Sequence, residues 1–250
     1  MRAWRWERGD PLPIYGDPMG IKGFIKTSLV DWDGNITSVL FLPNCNFRCP
    51  MCHNYGLILN PDKYPDIDYN EIEEYLVENS DFIDGVVITG GEPTLFKDLE
   101  NLCRKLKEIG MKIKIDTNGH NPDKLSHLID KGLVDYIAMD VKAPLEEEIY
   151  SRLAGVRVDI KRIEKSIDII KNSGLDYEFR TTVVPTFLTA RDVIEISKFL
   201  SPAKRFVIQQ FNPENAMSKE LRKVKPYERD FLREISLECK RYIKEVVVRA

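Results

Sequence analysis

The chain has 250 residues, of which 43% are hydrophobic and 31% are charged, and its formal net charge is -3. This composition is typical of a soluble globular protein with enough chain for a sizeable core. The near-neutral charge gives no reason to expect nucleic acid or an anionic membrane as a partner, and no apolar run is long enough to cross a bilayer.

The amino-terminal part divides into an extension and the start of a domain. Residues 1–19, rich in Trp and Pro, are predicted to form an irregular extension, and residues 20–250 a single domain. A strand over residues 22–30, a tight turn at Asp33-Gly34 and a strand over residues 36–42 predict a hairpin. Because nothing near Met1 resembles a secretion signal, we expect a cytoplasmic protein.

Strands and helices then alternate along the chain. Further strands are predicted at residues 85–89, 112–116, 135–141, 177–184, 206–210 and 246–248. Helices are predicted at residues 69–79, 96–109, 123–130, 145–153, 160–171, 191–200 and 227–243. This alternation predicts a parallel sheet, and about six such units predict an α/β barrel or part of one.

Several of these strands have a polar face, although parallel sheets are usually covered on both sides and apolar throughout. The polar residues that share a face are Lys112, Lys114 and Asp116, then Asp140 and Lys142, then Glu178, Arg180 and Thr182. A single strand with a polar face is commonly explained by a position at the edge or end of the sheet, where the side chains reach water. Because four strands show the pattern, counting the one with the two glutamines, we predict a wet, charged lumen in a partial, splayed barrel suited to a zwitterionic ligand.

Three cysteines follow the second predicted strand with the spacing C-x3-C-x2-C, as Cys45, Cys49 and Cys52. Such a loop can bring three sulfurs around one inorganic core. A cubane iron-sulfur cluster normally takes four cysteines, so three would leave one iron for another ligand. A zinc site is the alternative, but zinc needs a fourth ligand and does not account for a polar lumen.

Two further loops follow strands. Gly90-Gly91-Glu92-Pro93 has two glycines that let the backbone approach a ligand and a proline that turns the chain toward a helix. Asp116-Thr117-Asn118-Gly119 ends the next strand. Each loop alone is also explained by an ordinary turn. Since functional groups of α/β barrels lie at the carboxyl ends of strands, we expect both loops and the cysteine loop at one rim.

With these motifs, residues 22–211 resemble the radical S-adenosylmethionine (SAM) enzymes, whose cluster and Gly-Gly-Glu-Pro motifs the chain reproduces. A narrower resemblance is to the activases of glycyl-radical enzymes, including those of anaerobic ribonucleotide reductase and pyruvate formate-lyase. It rests on the four segments 23–31, 52–54, 116–119 and 139–142. The resemblance implies a partial (β/α)6 barrel of the radical SAM type with an N-terminal hairpin.

The resemblance also implies the cofactors and their ligands. Cys45, Cys49 and Cys52 would hold one [4Fe-4S] cluster whose open iron binds SAM. The other cofactor-binding residues that it implies are Met51, Gly90, Gly91, Glu92, Asp116, Asn118, Asp140, Lys142, Arg180 and Gln210.

Individual roles follow from the same resemblance. Backbone carbonyls of residues 90–92 would bind the amino group of SAM, and Lys142 or Arg180 its carboxylate. Asp116 and Asn118 are candidates for the ribose hydroxyls. Positions matching Asp116, Thr117 and Asp140 are also associated with a monovalent cation in the activases.

Two departures from the family concern the adenine pocket. Met51 stands where the family usually has an aromatic residue before the third cysteine. Gln209 and Gln210 stand on the strand where the pyruvate formate-lyase activase has a His. A thioether can still pack against an aromatic ring, so we expect the pocket to be retained.

The implied activity is reductive cleavage of SAM to a 5'-deoxyadenosyl radical, which abstracts hydrogen from a glycine of a partner glycyl-radical enzyme. Anaerobic ribonucleotide reductase is the expected partner, with a flavodoxin or ferredoxin as electron donor. The alternative is a radical SAM enzyme that acts on a small molecule or a tRNA base. The charge balance counts against tRNA.

Overall fold

The computed structural model describes residues 20–250, so the predicted extension of residues 1–19 lies outside the described residues. The described chain forms one eight-stranded sheet whose strands lie in sequence order. The first two strands pair antiparallel as a hairpin, and every later pair of neighbours is parallel. This order arises because each crossover places the next strand beside the preceding one.

The strands are β1 Gly23–Ser28, β2 Thr37–Leu42, β3 Gly85–Gly90, β4 Lys112–Thr117, β5 Tyr136–Asp140, β6 Asp176–Val183, β7 Arg205–Gln210 and β8 Glu245–Arg249. The helices are α1 Tyr55–Leu59, α2 Tyr69–Glu78, α3 Leu99–Glu108, α4 Pro122–Asp130, α5 Glu147–Ala154, α6 Ile160–Asn172, α7 Ala190–Leu200 and α8 Arg229–Cys239. None of the helices in the described part of the chain is long and apolar enough to cross a membrane.

Helix boundaries differ from prediction where the chain makes local turns. Helix α3 begins at Leu99 and not at residue 96, because Phe96 closes a short 3-10 turn by donating its N–H to the Pro93 carbonyl at 3.0 Å. Helix α8 ends at Cys239 and not at residue 243, because the N–H of Tyr242 turns back to the Cys239 carbonyl at 3.0 Å. Helix α1 was not predicted.

The main core lies between the helices and the outer face of the sheet. In α3, Leu99, Leu102 and Leu106 are buried at helical spacing, and they belong to the same apolar cluster as Leu40 of β2 and Ile88 of β3. Burial of this amphipathic face, more than intrinsic propensity, stabilises such a short helix. The predicted α/β class and partial barrel with an N-terminal hairpin are confirmed.

The inner face of the sheet is partly filled by the β1–β2 turn. Trp32 of this turn is only 8% exposed and packs with Val39, Val87, Tyr136 and Ala138. The rings of Trp32 and Tyr136 lie 5.5 Å apart. Trp32 therefore closes the lumen at the amino ends of the parallel strands.

Beside Trp32, ion pairs connect the β1–β2 turn at one edge of the open sheet with β8 at the other edge. Arg249 of β8 donates to both carboxylate oxygens of Glu178, at 3.0 and 2.9 Å, and to Asp33 of the β1–β2 turn at 3.0 Å. Arg205 also pairs with Asp33. The predicted charged lumen is therefore present at this amino end of the barrel, but Glu178 is 1% exposed and its charge is met by ion pairs and not by water.

Candidate functional site

The cysteine loop and the glycine-rich loop lie side by side, as predicted. Leu42 of β2 is in register with Gly90 of β3. Beyond the strands, Gly91 donates its N–H to the Leu42 carbonyl at 2.8 Å, and Glu92 donates its N–H to the Asn44 carbonyl at 2.7 Å. The parallel pairing of the two strands thus continues into the loops and fixes one against the other.

This close approach explains both glycines. A Cβ at position 91 would lie 1.8 Å from the backbone oxygen of Asn44. Gly90 has φ +112, and a Cβ there would lie 2.4 Å from the Leu42 oxygen. Because the obstructing atoms are backbone atoms, a side chain at either position would separate the loops.

The side chain of Glu92 joins the glycine-rich loop to the loop after β4. Its Oε1 accepts hydrogen bonds from the Thr94 N–H at 3.1 Å and from the hydroxyls of Thr94 and Thr117 at 2.6 and 2.7 Å. Its Oε2 accepts from the Asn118 N–H at 2.7 Å. Burial raises the pKa of Glu92, and these hydrogen bonds counter part of the rise.

The cysteine loop is held in shape by its own backbone and by one arginine. The N–H of Phe47 donates to Cys45 Sγ at 3.3 Å, and the Cys52 N–H donates to the Cys49 carbonyl at 2.9 Å. Arg48 Nη1 donates to the carbonyls of Cys45 and Phe47 at 2.5 and 2.8 Å. Asn118 Nδ2 lies 3.7 Å from Cys45 Sγ, so the loop after β4 also reaches the first thiol.

Two neighbouring elements support the cysteine loop from outside. The Arg48 N–H donates to the carbonyl of Ala154, the last residue of α5, at 2.7 Å. Gly155 follows with φ +69, and a Cβ there would lie 2.0 Å from the Arg48 oxygen. On the other side, Asn54 Nδ2 donates to the Gly90 carbonyl at 3.0 Å. That carbonyl is one of those predicted to bind the amino group of SAM.

The three thiols, of which Cys49 is buried and Cys45 and Cys52 are partly exposed, form a donor set that needs a cationic partner. Burial raises the pKa of Cys49 to about 11 and raises the pKa of Cys45 and Cys52 as well, and neighbouring thiolates disfavour ionisation of one another. Cysteine binds metal as the thiolate, so a positive inorganic core would have to offset this cost.

This donor set fits an iron-sulfur cluster. No group of three or more His, Cys, Asp or Glu side chains within residues 20–250 could hold a single metal ion. In a cubane cluster each cysteine binds a different iron, so the thiols need not converge on one point. The hydrogen bond from Phe47 to Cys45 Sγ is of the kind that tunes the potential of such clusters.

The charged residues of the upper lumen form one ion-pair network. Arg180 contacts Asp116 Oδ2 at 3.1 Å and Asp140 Oδ1 at 2.9 Å. Lys142 contacts Asp140 Oδ2 at 2.9 Å, and Lys114 contacts Asp116 Oδ1 at 3.3 Å. Despite burial, Arg180 and Lys142 hold the pKa of Asp140 well below its usual range. Both predicted carboxylate-binding cations are therefore present at the site, each already paired with Asp140.

Three other predicted residues lie in different surroundings. Asn118 donates to Asn46 Oδ1 at 2.8 Å, which places its side chain against the cysteine loop. Met51 is 9% exposed and belongs to the main apolar cluster. Gln210 lies on the helix side of β7, where its amide donates to the Tyr227 carbonyl at 3.1 Å. The structure therefore does not bring Gln210 to the lumen.

The inner position on β7 belongs to the preceding residue. Gln209 is in register with Thr182, a residue of the predicted polar face of β6. The period-two rule already placed the two glutamines on opposite faces, but it did not say which face was the inner one. The neighbouring strand decides this.

Sequence reasoning also missed the long segment of residues 212–225 that covers the cysteine loop. The Ser218 N–H donates to the Pro50 carbonyl at 2.9 Å. His53 Nε2 lies 2.8 Å from the Asn212 carbonyl, so the His53 side chain helps to hold this segment against the cysteine loop. The segment contains only one short 3-10 turn, Leu221–Lys223, and no periodic pattern identified it.

The sequence of this chain is similar to those of several known proteins. The model of the Radical SAM superfamily matches residues 39–200. A protein of Methanocaldococcus jannaschii, provisionally named a glycyl-radical enzyme activating enzyme, is 35% identical over 236 residues, covering 92% of this chain and 95% of that protein. A protein of Sulfolobus acidocaldarius, provisionally named a GTP 3',8-cyclase, is 29% identical over 159 residues, covering 63% of this chain and 49% of that protein.

Among solved structures, Streptococcus suis SuiB bound to its precursor peptide SuiA superposes with a TM-score of 0.61 at 20% sequence identity. The match covers 82% of this chain and 46% of SuiB, so the chain spans about half the length of that protein. At this identity the likeness describes the fold alone.

Proposed function

The chain belongs to the radical SAM superfamily, and we propose that it activates a glycyl-radical enzyme by abstracting a hydrogen atom from a glycine of that partner. The observation that favours this activity most is the 35% identity to the Methanocaldococcus jannaschii relative over nearly the whole of both chains. Anaerobic ribonucleotide reductase is the partner that we propose.

In this proposal Cys45, Cys49 and Cys52 hold the [4Fe-4S] cluster. Together, a bound cluster and SAM supply one-electron cleavage of the sulfonium and a 5'-deoxyadenosyl radical. The hydrogen bonds of Arg48 to the Cys45 and Phe47 carbonyls keep the loop in one conformation. Pre-organisation of this kind lowers the cost of assembling the site.

The glycine-rich loop and the lumen cations orient SAM. Backbone carbonyls of residues 90–92 would accept hydrogen bonds from the amino group of SAM, and the fixed pairing of β2 with β3 holds this loop beside the cysteine loop. Lys142 and Arg180 attract the carboxylate, which would share them with Asp140. A monovalent cation at Asp116 and Asp140 would compete with Arg180, which contacts both carboxylates.

The closed amino end of the barrel sets the direction from which a substrate enters. Trp32 and the ion pairs of Glu178 and Asp33 fill the lumen on that side. A substrate therefore approaches from the carboxyl ends of the strands, where the three loops lie. In this proposal, a glycine on an extended loop of the partner protein enters there.

The cluster assignment is tested by anaerobic reconstitution of Cys45→Ala, with Cys103→Ala as the matched control. Cys103 is fully buried in α3, so its replacement removes a thiol without touching the loop. We expect the first variant to lose iron, sulfide and 5'-deoxyadenosine formation, and the control to keep all three. Full 5'-deoxyadenosine formation by Cys45→Ala would contradict the assignment, and colourless wild-type protein containing zinc would support the zinc alternative.

The partner is tested by electron paramagnetic resonance. Reconstituted wild-type protein, SAM and a chemical reductant are incubated with the anaerobic ribonucleotide reductase of the same organism, and a glycyl radical signal is expected. The control is Cys49→Ala, which should give none. If 5'-deoxyadenosine forms without a glycyl signal, the partner assignment is wrong.

A second candidate is a radical SAM enzyme that acts on a small molecule or a tRNA base. The 29% identity to the provisionally named GTP 3',8-cyclase favours a small molecule. Stimulation of 5'-deoxyadenosine formation by GTP, measured without any protein partner, would support this alternative over the activase.

A further inference from the structure

Residues 212–225 touch the cysteine loop next to two of its three thiols. Ser218 binds the carbonyl of Pro50, which directly follows Cys49. His53, which directly follows Cys52, binds the carbonyl of Asn212. Cys52 is itself partly exposed and His53 is exposed. The cysteine loop therefore comes close to the protein surface beside this segment.

The surface of this segment is basic, although the chain as a whole is slightly acidic. Lys219, Arg222 and Lys223 are exposed, and we call them the basic strip. Within residues 212–225 they are opposed by two exposed acidic residues, Glu214 and Glu220, and Glu220 accepts a hydrogen bond from Ser218 at 2.7 Å. The next lysine, Lys225, is paired with Glu228 and is not counted in the strip.

The basic strip is held firmly against the body of the protein. Leu221 is 5% exposed and belongs to the main apolar cluster. Arg222 Nε donates to the Ala216 carbonyl at 2.7 Å, and its Nη2 donates to the Tyr55 hydroxyl at 3.1 Å. The guanidinium also lies 5.9 Å from the centre of the Tyr55 ring. The backbone that carries the strip is thus anchored by Leu221, and the charge of Arg222 is fixed in position.

We propose that the basic strip is the docking surface of an acidic one-electron donor protein of the flavodoxin class. The proposal rests on the radical SAM function, because that chemistry requires one electron for each SAM cleaved. Electron transfer weakens steeply with distance, so a donor gains from docking beside the partly exposed Cys52. Complementary charge would steer it there and raise the rate of association.

The electron balance is simple. An anionic flavin hydroquinone in the donor loses one electron and becomes the neutral semiquinone, and the cofactor held by the cysteine loop would gain that electron. Arg222 supports Tyr55 as well as the strip. The two lysines are therefore the better positions to change.

The test uses reconstituted holoenzyme with Lys219→Glu and Lys223→Glu combined. The control combines Lys131→Glu and Lys240→Glu, two exposed lysines at the carboxyl ends of α4 and α8. Because these helix ends lead into the amino ends of β5 and β8, both lysines lie at the end of the barrel opposite the cysteine loop. Affinity for oxidised flavodoxin is measured at low and high salt. The rate of cluster reduction is measured with reduced flavodoxin and, separately, with dithionite.

We expect the strip variant to bind flavodoxin about tenfold more weakly at low salt and to be reduced by it correspondingly slowly, with the difference shrinking at high salt. Dithionite should reduce both variants at the wild-type rate. Equal flavodoxin affinity and rate in the two variants would overturn the proposal, as would an equal loss with dithionite.

If glycyl radical formation driven by dithionite falls while flavodoxin binding is unchanged, the strip binds the glycyl-radical enzyme and the proposal is wrong. Failure of the wild-type protein to cleave SAM with dithionite would instead contradict the proposed function. The two failures are therefore distinguishable.

Discussion

Replacement of Glu92 by Gln tests whether its buried side chain holds two loops of the site together. Oε2 accepts the Asn118 N–H at 2.7 Å, and Oε1 accepts three donors. An amide nitrogen at the Oε2 position would face the Asn118 N–H, donor against donor, and the opposite orientation would disturb three bonds. The less costly orientation still leaves two buried donors, the new amide group and the Asn118 N–H, without an acceptor, so we expect a loss of about 2–4 kcal/mol in the free energy of unfolding.

The loss is measured by urea unfolding, where it should lower the midpoint by about 1 M without a change in slope. The matched control is Glu108→Gln, at an exposed position at the end of α3. SAM affinity should also fall in the Glu92 variant, because both loops contribute to the proposed site. Unfolding at the wild-type urea concentration would refute the reasoning, since an amide nitrogen in place of one of the two acceptor oxygens leaves buried donors facing each other.

Three further outcomes are expected. Gly91→Ala should lower the free energy of unfolding, measured in urea, by about 3 kcal/mol or more, because the new Cβ would lie 1.8 Å from the Asn44 oxygen. The control Gly132→Ala, at φ +63 with open space around it, should lower it by about 1 kcal/mol. Equal losses in the two variants would contradict the close approach of the loops. The pKa of Asp140 is lowered by its cationic partners, so its stabilising effect is present above the unfolded pKa of about 4 and is lost as the pH falls through the lower folded value. The difference in unfolding free energy between wild type and Asp140→Asn should therefore be constant near neutral pH and narrow in acid; a constant difference down to about pH 3 would count against the ion pairs. Trp32→Ala should lower the free energy of unfolding by about 3–5 kcal/mol and lower the melting temperature, because it leaves a cavity in a buried cluster. An unchanged melting temperature would show that the ring does not fill the lumen.

Local patterns in the sequence predicted the order of strands and helices and the rim on which the three loops meet. Period-two alternation correctly grouped Lys114 with Asp116 and Glu178 with Arg180 on inner faces. Alternation and turn residues act over a few neighbouring positions, so they can be read without knowing the rest of the fold. For the same reason the spacing of Cys45, Cys49 and Cys52 indicated an iron-sulfur site.

What fills the lumen was decided only by the tertiary structure. The pair Asp33 and Arg249 joins residues 216 positions apart, and Glu92 reaches Asn118 across 26 positions. No local pattern shows which charged residues will meet over such separations. The charged strand faces therefore predicted a water-filled lumen, whereas in the fold ion pairs and Trp32 occupy its amino end. The period-two alternation of a strand placed Gln209 and Gln210 on opposite faces of the sheet. It did not show which of the two faces the lumen, because the neighbouring strands define the inner face. The sequence therefore determined the set of chemical groups and their order along the chain, whereas long-range pairing determined which of those groups face the site.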